Sequence, residues 1–172
     1  MSTNRSIGHS ARRVAIVTAL AAGLCATVST TVAAAPYTVT SLSDNGGGTL
    51  RQAIDDANAN PGADTITFDP SVSGGTITLL TTLPAISDDL TIDGTGQSVI
   101  ISGGGLVRIL SVNSPKTLTL SALTIANGKV GSTDDGGGVL ISNSGVLIVG
   151  NCTFSNNSAG SRGGAISQGD RI

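Results

Sequence analysis

The sequence predicts an all-β fold, a parallel β-helix with a capping helix near its N-terminus. Three observations carry that prediction. Thr, Ser, Gly, Asn, Val, Ile and Leu dominate and none of the eleven acidic residues is Glu, a composition that favours strands and tight turns over helices. From Gly75 onward, short apolar runs alternate with Gly, Asn, Asp or Pro turns, and no helical crossover separates them. Finally, an apolar strand followed by a glycine run recurs three times, at 90–94 with 103–107, 123–128 with 136–140, and 152–157 with 163–166. The offset from Leu90 to Leu123 equals that from Gly103 to Gly136. The next step is shorter for both halves, from Leu123 to Cys152 and from Gly136 to Gly163. A repeat of this size without helices is the mark of a solenoid. An antiparallel β-sandwich is the main rival, and it gives no reason for glycines to return after each strand.

Residues 1–34 read as a signal peptide outside the fold. Arg5, His9, Arg12 and Arg13 make a basic start, 14–26 is apolar but too short to span a bilayer, and Val32 and Ala34 supply small side chains for cleavage after Ala34. Arg12 and Arg13 hint at twin-arginine export. A lipid anchor on Cys25 is disfavoured because the bulky Leu24 precedes it. The remaining chain carries six basic residues (Arg51, Arg108, Lys116, Lys129, Arg162 and Arg171) against eleven Asp, a net charge of −5. Without a basic stripe, nucleic-acid binding is not expected. Nor is a membrane span in the mature chain. Only Cys152 remains after cleavage, so no internal disulfide is available.

Residues 35–70 are expected to form an N-terminal cap. Residues 37–42 alternate as a first strand, and 44–48 make a glycine turn. Thr49 and Gln52 fit a capping box, with Gln52 reaching back. Leu50, Ala53, Ile54 and Ala57 then fall on one helical stripe, and Pro61-Gly62 ends the helix. An amphipathic helix here shields the first coil from water and from stray strand pairing. Residues 63–68 form the next strand. Residues 71–172 are expected to hold the β-helix repeats, with strands at 76–80, 98–102, 107–112 and 146–149. Asn127, Asn156 and Asn157 are expected to form inter-coil ladders.

Little in this chain looks catalytic. The only histidine, His9, lies in the signal peptide, so the mature chain has no Ser-His-Asp or Cys-His set and no His metal ligand. Cys152 occupies an apolar slot of the repeat and reads as core. Asp88-Asp89 and Asp134-Asp135 are adjacent pairs; neighbours on a strand point to opposite faces, which suits paired-carboxylate hydrolysis poorly, though from a turn they could still converge. Arg108, Lys116 and Lys129 could serve a lyase as base but share no spacing, and Tyr37, Phe68 and Phe154 are the only aromatic platforms. Asp44, Asp93 and Asp134 stand beside flexible glycine, as in Ca2+ turns. None fits the nine-residue Ca2+ repeat, so ordinary structural turns without a cofactor are expected, Ca2+ being the alternative. Thr-x-Thr pairs at Thr65/Thr67 and Thr76/Thr78 suggest an ice-binding ladder but do not recur at the expected coil interval.

The third copy is the most informative. Phe154, Ser155, Asn156 and Asn157, followed by Gly163, Gly164, Ala165 and Ile166, resemble the FxxN and GGA[ILV] motifs of polymorphic outer-membrane-protein-type bacterial β-helices. Ile125 to Gly128 with Gly137 to Leu140 is a degenerate copy. The stretch from Val39 through Phe68 is similar to the N-terminal cap segment of secreted and surface-anchored β-helix proteins. The resemblance implies a right-handed, pectin-lyase-like helix, secreted or displayed at a bacterial outer membrane, adhesive or structural rather than enzymatic. Partners would be host-cell or surface glycans or proteins. The motif residues Phe154, Asn157, Gly163, Gly164, Ala165 and Ile166 would be structural. A polysaccharide lyase or glycoside hydrolase of the same fold is the alternative. Members of this family carry many more repeats, so a truncated reading frame or a fragment is expected, with an open last coil able to self-associate.

Overall fold

The computed structural model of the protein describes residues 34–169. The proposed signal peptide lies, but for Ala34, outside them. The described chain is a right-handed parallel β-helix whose coils contribute to three sheets. Sheet A contains β1 (Pro36–Val39), β2 (Asp64–Phe68), β4 (Leu90–Asp93), β7 (Thr117–Ser121) and β10 (Val146–Gly150). Sheet B contains β3 (Thr76–Thr78), β5 (Ile100–Ser102), β8 (Thr124–Ala126) and β11 (Thr153–Ser155). Sheet C contains β6 (Leu110–Val112), β9 (Val139–Ile141) and β12 (Ile166–Gln168). Every pairing between these strands is parallel. The strands are shorter at several ends than the apolar runs suggest, because Leu79, Val99 and Val107 turn corners between sheets.

The core is a set of vertical columns. In sheet A, Ile66, Ile92, Leu120 and Val149 pair in succession, as do Leu90, Leu118 and Leu147. Sheet B stacks Ile77, Ile101, Ile125 and Phe154, and sheet C stacks Leu110, Val139 and Ile166. Alternation along each strand sends these residues inward, where most are fully buried. Each added coil thus buries its inner residues against the last, the nearest-neighbour logic of a solenoid.

The N-terminal end is closed by α1 (Leu50–Ala59), whose Leu50, Ala53, Ile54 and Ala57 are all buried in that core. Thr49 caps the helix by accepting from the Gln52 backbone N–H. The expected reciprocal bond is not made. Gln52 instead turns forward and donates to the Asp56 carboxylate, while the Thr49 hydroxyl donates to the Gly46 carbonyl. The helix stops at Ala59, with Asn60 as its C-cap, just ahead of Pro61-Gly62. After β2, Asp69 opens a short 3-10 helix, Pro70–Val72. Its carboxyl is held below the usual carboxylate range by hydrogen bonds from Ser71.

The register corrects the repeat read from sequence. Leu90 pairs with Leu118 and not with Leu123. Leu123 and Cys152 precede paired β8 and β11, and their counterpart in the coil below is Val99, which precedes β5. The glycine echo shifts as well. Leu110 pairs with Val139, so Gly136 aligns with Val107 and not with Gly103. Val139 pairs with Ile166, which makes Gly136, Gly137 and Gly138 the counterparts of Gly163, Gly164 and Ala165. One strand-plus-glycine motif on sheets B and C is therefore real in the last two copies. The copy at 90–107 mixes sheet A with a B–C corner.

Candidate functional surfaces

The paired motif builds a tightly stacked corner between sheets B and C. Phe154 sits above Ile125 in the sheet B column and is partly buried against the core. At the start of the turn that follows, Asn156 and its counterpart Asn127 adopt left-handed backbone, with φ of 53° and 55°, a conformation Asn tolerates better than most residues. Asn157 then reaches down one coil. Its side-chain amide donates to the Ile125 carbonyl at 2.8 Å, and its side-chain oxygen accepts from the Gly128 N–H at 2.8 Å. The inter-coil ladder expected of three asparagines thus takes distinct forms. Asn157 bridges backbones, Asn127 donates to the Ser102 hydroxyl at 3.3 Å, and Asn156 serves the turn through its backbone conformation.

The glycines are needed for the same stacking. Gly163 has φ +59°, and a Cβ there would collide with the Ile166 carbonyl. A Cβ on Gly164 would press on the Asn157 carbonyl, and one on Gly137 on the carbonyls of Ser158 and Gly164. Ala165 occupies the slot of Gly138, and its carbonyl accepts from Val139 at 2.9 Å. Ile166 continues the sheet C column but is 38 % exposed, since no coil covers it among the described residues.

Three of the candidate carboxylates, Asp88, Asp89 and Asp135, are engaged in holding coils together. Asp88 accepts from Lys116 Nζ at 2.7 Å and from the Gly62 N–H at 2.9 Å. The Lys116 bond is the main reason its carboxyl is held below the usual range, and the same bond raises the lysine. Asp89 accepts from the Thr117 N–H at 2.8 Å. Asp135 accepts from the Arg162 N–H at 2.8 Å and faces its guanidinium at 3.7 Å. Arg108 donates to the carbonyls of Asp135 and Gly136. Cys152 is partly buried against the core, and its thiol lies 3.4 Å from the Gly150 carbonyl.

Two of the Asp/Gly turns, at Asp44 and Asp93, are likewise occupied by protein. Asp44 is buried; Arg51 donates to its Oδ1 at 2.6 Å and Asn45 to its Oδ2 at 2.9 Å. The Asp93 carboxylate accepts from both the N–H and the hydroxyl of Thr95. Among the described residues, no group of three or more His, Cys, Asp or Glu is placed to hold a metal ion. A shallow cleft of about 200 Å3 opens beside the cap, lined by Tyr37, Thr38, Gly48, Thr49, Gln52, Ala53 and Asp56. Burial pushes the Tyr37 phenol up, with Asp64 and Asp56 adding to it, and its hydroxyl donates to the Asp56 carbonyl at 3.2 Å. With the Asp56 carboxylate bonded to Gln52, this cleft holds no nucleophile paired with a base.

No known family model matches the chain, and no curated protein matches it. Among the described residues, no helix is long and apolar enough to cross a membrane.

Proposed function

We propose that this protein is an exported β-helix repeat module of the adhesin or structural type, acting through its exposed faces and not through a catalytic pocket. The observation that carries the reading is the fate of the acidic pairs. Asp88, Asp89 and Asp135 each bind a backbone N–H or a cation belonging to a neighbouring coil, which is a stitching role and not that of a carboxylate pair facing one bond. Glycoside hydrolysis needs such a facing pair. The basic, then apolar, then small-residue start of the chain supports export, and the FxxN and GGA[ILV] resemblance supports a surface location. The partners that suit this reading are host-cell or surface glycans or proteins. Catalysis is tested by incubating the mature protein with polygalacturonate and Ca2+. Ultraviolet-absorbing unsaturated product would replace this reading with the lyase. Export is tested by sequencing the N-terminus of the secreted product, which should begin at Ala35.

A further inference from the structure

The outer face of sheet A carries an ordered array of hydroxyls that the sequence conceals. Inward residues alternate with outward ones, so the register fixes which outward side chains stand above one another. Thr65 pairs with Thr91 and Thr91 with Thr119, giving one column across β2, β4 and β7. Thr38 pairs with Thr67, Thr67 with Asp93, and Asp93 with Ser121, giving a second column beside it. The steps along the chain are uneven. Thr65 to Thr91 is shorter than Thr91 to Thr119, and Thr67 to Asp93 is shorter than Asp93 to Ser121. The Thr-x-Thr pair itself does not recur, as expected: Thr65/Thr67 stack on Thr91/Asp93 and these on Thr119/Ser121. The first column nevertheless keeps Thr on three successive strands, at steps too uneven to show as a period in the sequence.

Six hydroxyls, of Thr38, Thr65, Thr67, Thr91, Thr119 and Ser121, therefore form a two-dimensional net. Its spacing is about 4.8 Å across strands and about 6.6 Å between residues i and i+2. The Thr38 and Thr67 hydroxyls already lie 3.5 Å apart. Each Thr is β-branched and stiff at χ1, so methyl and hydroxyl repeat with the backbone. Ordering the net on a ligand then costs little side-chain entropy. The one charge in the net, Asp93, is turned onto Thr95.

We propose that this face binds ice. Apart from Asp93, which is engaged by Thr95, the periodic array is uncharged and offers little to a charged partner. Its complement is a surface that repeats uncharged donors and acceptors in two directions, and water molecules in ice are such a surface. Crystalline polysaccharide also repeats, but its sugar rings favour aromatic platforms, and no aromatic residue occupies either column. The inference rests on the reading of the protein as a binding scaffold and names a ligand for one of its faces. Its failure leaves that reading standing, because glycan and protein binding are measured separately.

The test is partition of the folded full chain into slowly growing ice, alongside microscopy of single ice crystals in its solution. The expected result is clear enrichment in the ice fraction over an inert globular protein, with faceted crystals. Thr91→Lys and Thr119→Lys, both outward and off the core, should each abolish the enrichment with an unchanged circular dichroism spectrum. Thr153→Lys, on sheet B, should keep it. Exclusion of the wild-type protein from ice to the same degree as the inert control overturns the proposal, and needs no variant. So does full enrichment of a correctly folded Thr91→Lys or Thr119→Lys, or adsorption to crystalline cellulose without adsorption to ice.

Discussion

The two ends of the solenoid are built by different means. At the first coil, an amphipathic helix buries four apolar side chains in the core, and polar pins lock it down. Arg51 binds the Asp44 carboxylate and carbonyl and the carbonyls of Thr81 and Thr82. Asn58 bonds both Ala85 and Ser87, and buried Asp64 accepts from Ala35 and Asn60. At the last coil, Leu147, Phe154 and Cys152 are only partly covered, and Val149, though its column points inward, is 42 % exposed. Stability in a repeat fold comes from neighbours on both sides. The same residue type in the same column should therefore count for less at the last coil than one coil below.

The sharpest way to break this comparison is to delete equivalent leucines. Leu118 and Leu147 pair directly in sheet A, the first fully buried and the second partly. Leu118→Ala should cost about 3–4 kcal/mol, in the range for fully buried leucines, and Leu147→Ala about 1 kcal/mol. Urea denaturation of both variants checks it. Equal losses would mean that the last coil is covered in solution, and self-association through that coil is the first explanation to examine by sedimentation.

Next in size is the pin at the cap. Arg51→Met keeps the aliphatic length but leaves the buried Asp44 carboxylate without its cation, and four hydrogen bonds are lost. Breaking a buried pair from one side typically costs several kcal/mol. Partial exposure of the guanidinium, 15 %, lowers that here to about 2–3 kcal/mol. Because the cap guards the first strand edge, the variant should also aggregate faster on heating, which light scattering would report.

A smaller loss, about 1–2 kcal/mol, is expected for Asn157→Ala, which strands the buried Gly128 N–H and the Ile125 carbonyl. Asn156→Gly, at φ 53°, should be neutral or slightly stabilising, since glycine accepts that backbone freely. The pair separates the two asparagines, which sequence pattern treats alike. Thermal melts giving Asn156→Gly the larger loss would reverse the assignment of roles.

These contrasts also show what the sequence can and cannot reveal. The helix was legible because Thr49 and the stripe of Leu50, Ala53, Ile54 and Ala57 are local signals. The corner at Phe154 to Ile166 was legible because its glycines are demanded by close backbone approach. Register was not legible. Ile77, Ile101 and Ile125 pair at one constant interval, yet Phe154 follows Ile125 at a longer one, and Leu90 to Leu118 differs again from Leu118 to Leu147. Turns absorb such insertions without disturbing the ladder. The false equivalence of Leu90 with Leu123 and the hidden threonine columns share this cause. Nor does sequence say which carboxylates are engaged, because Asp88 finds Gly62 and Lys116 only when three coils are stacked.

That Asp88 bridge gives the smallest expected effect and the most specific pH signature. Asp88 is held below the usual carboxylate range first by Lys116 and then by the Gly62 N–H, and Lys116 is raised by the same contact. A carboxylate with a lowered folded value stabilises fully above the unfolded value, about 4, and loses that contribution as pH falls through the folded value. Lysine runs the other way. Its contribution is complete below about 10.4 and disappears as pH rises through the raised folded value. The bridge should thus contribute fully and without pH dependence between about pH 5 and 9, and weaken at both extremes. Asp88→Asn should lower stability slightly across that plateau, by no more than an exposed ion pair contributes, and should flatten the acid limb of a denaturation midpoint plotted against pH. Among the described residues the last coil shows no such stitch at this position, where the Val146 N–H donates to the Lys116 carbonyl at 2.8 Å. Lys116→Met, which removes the cation but keeps the chain, should reproduce much of the acid flattening; an acid limb left intact in both variants would mean that the coils are held at this edge by their backbones alone.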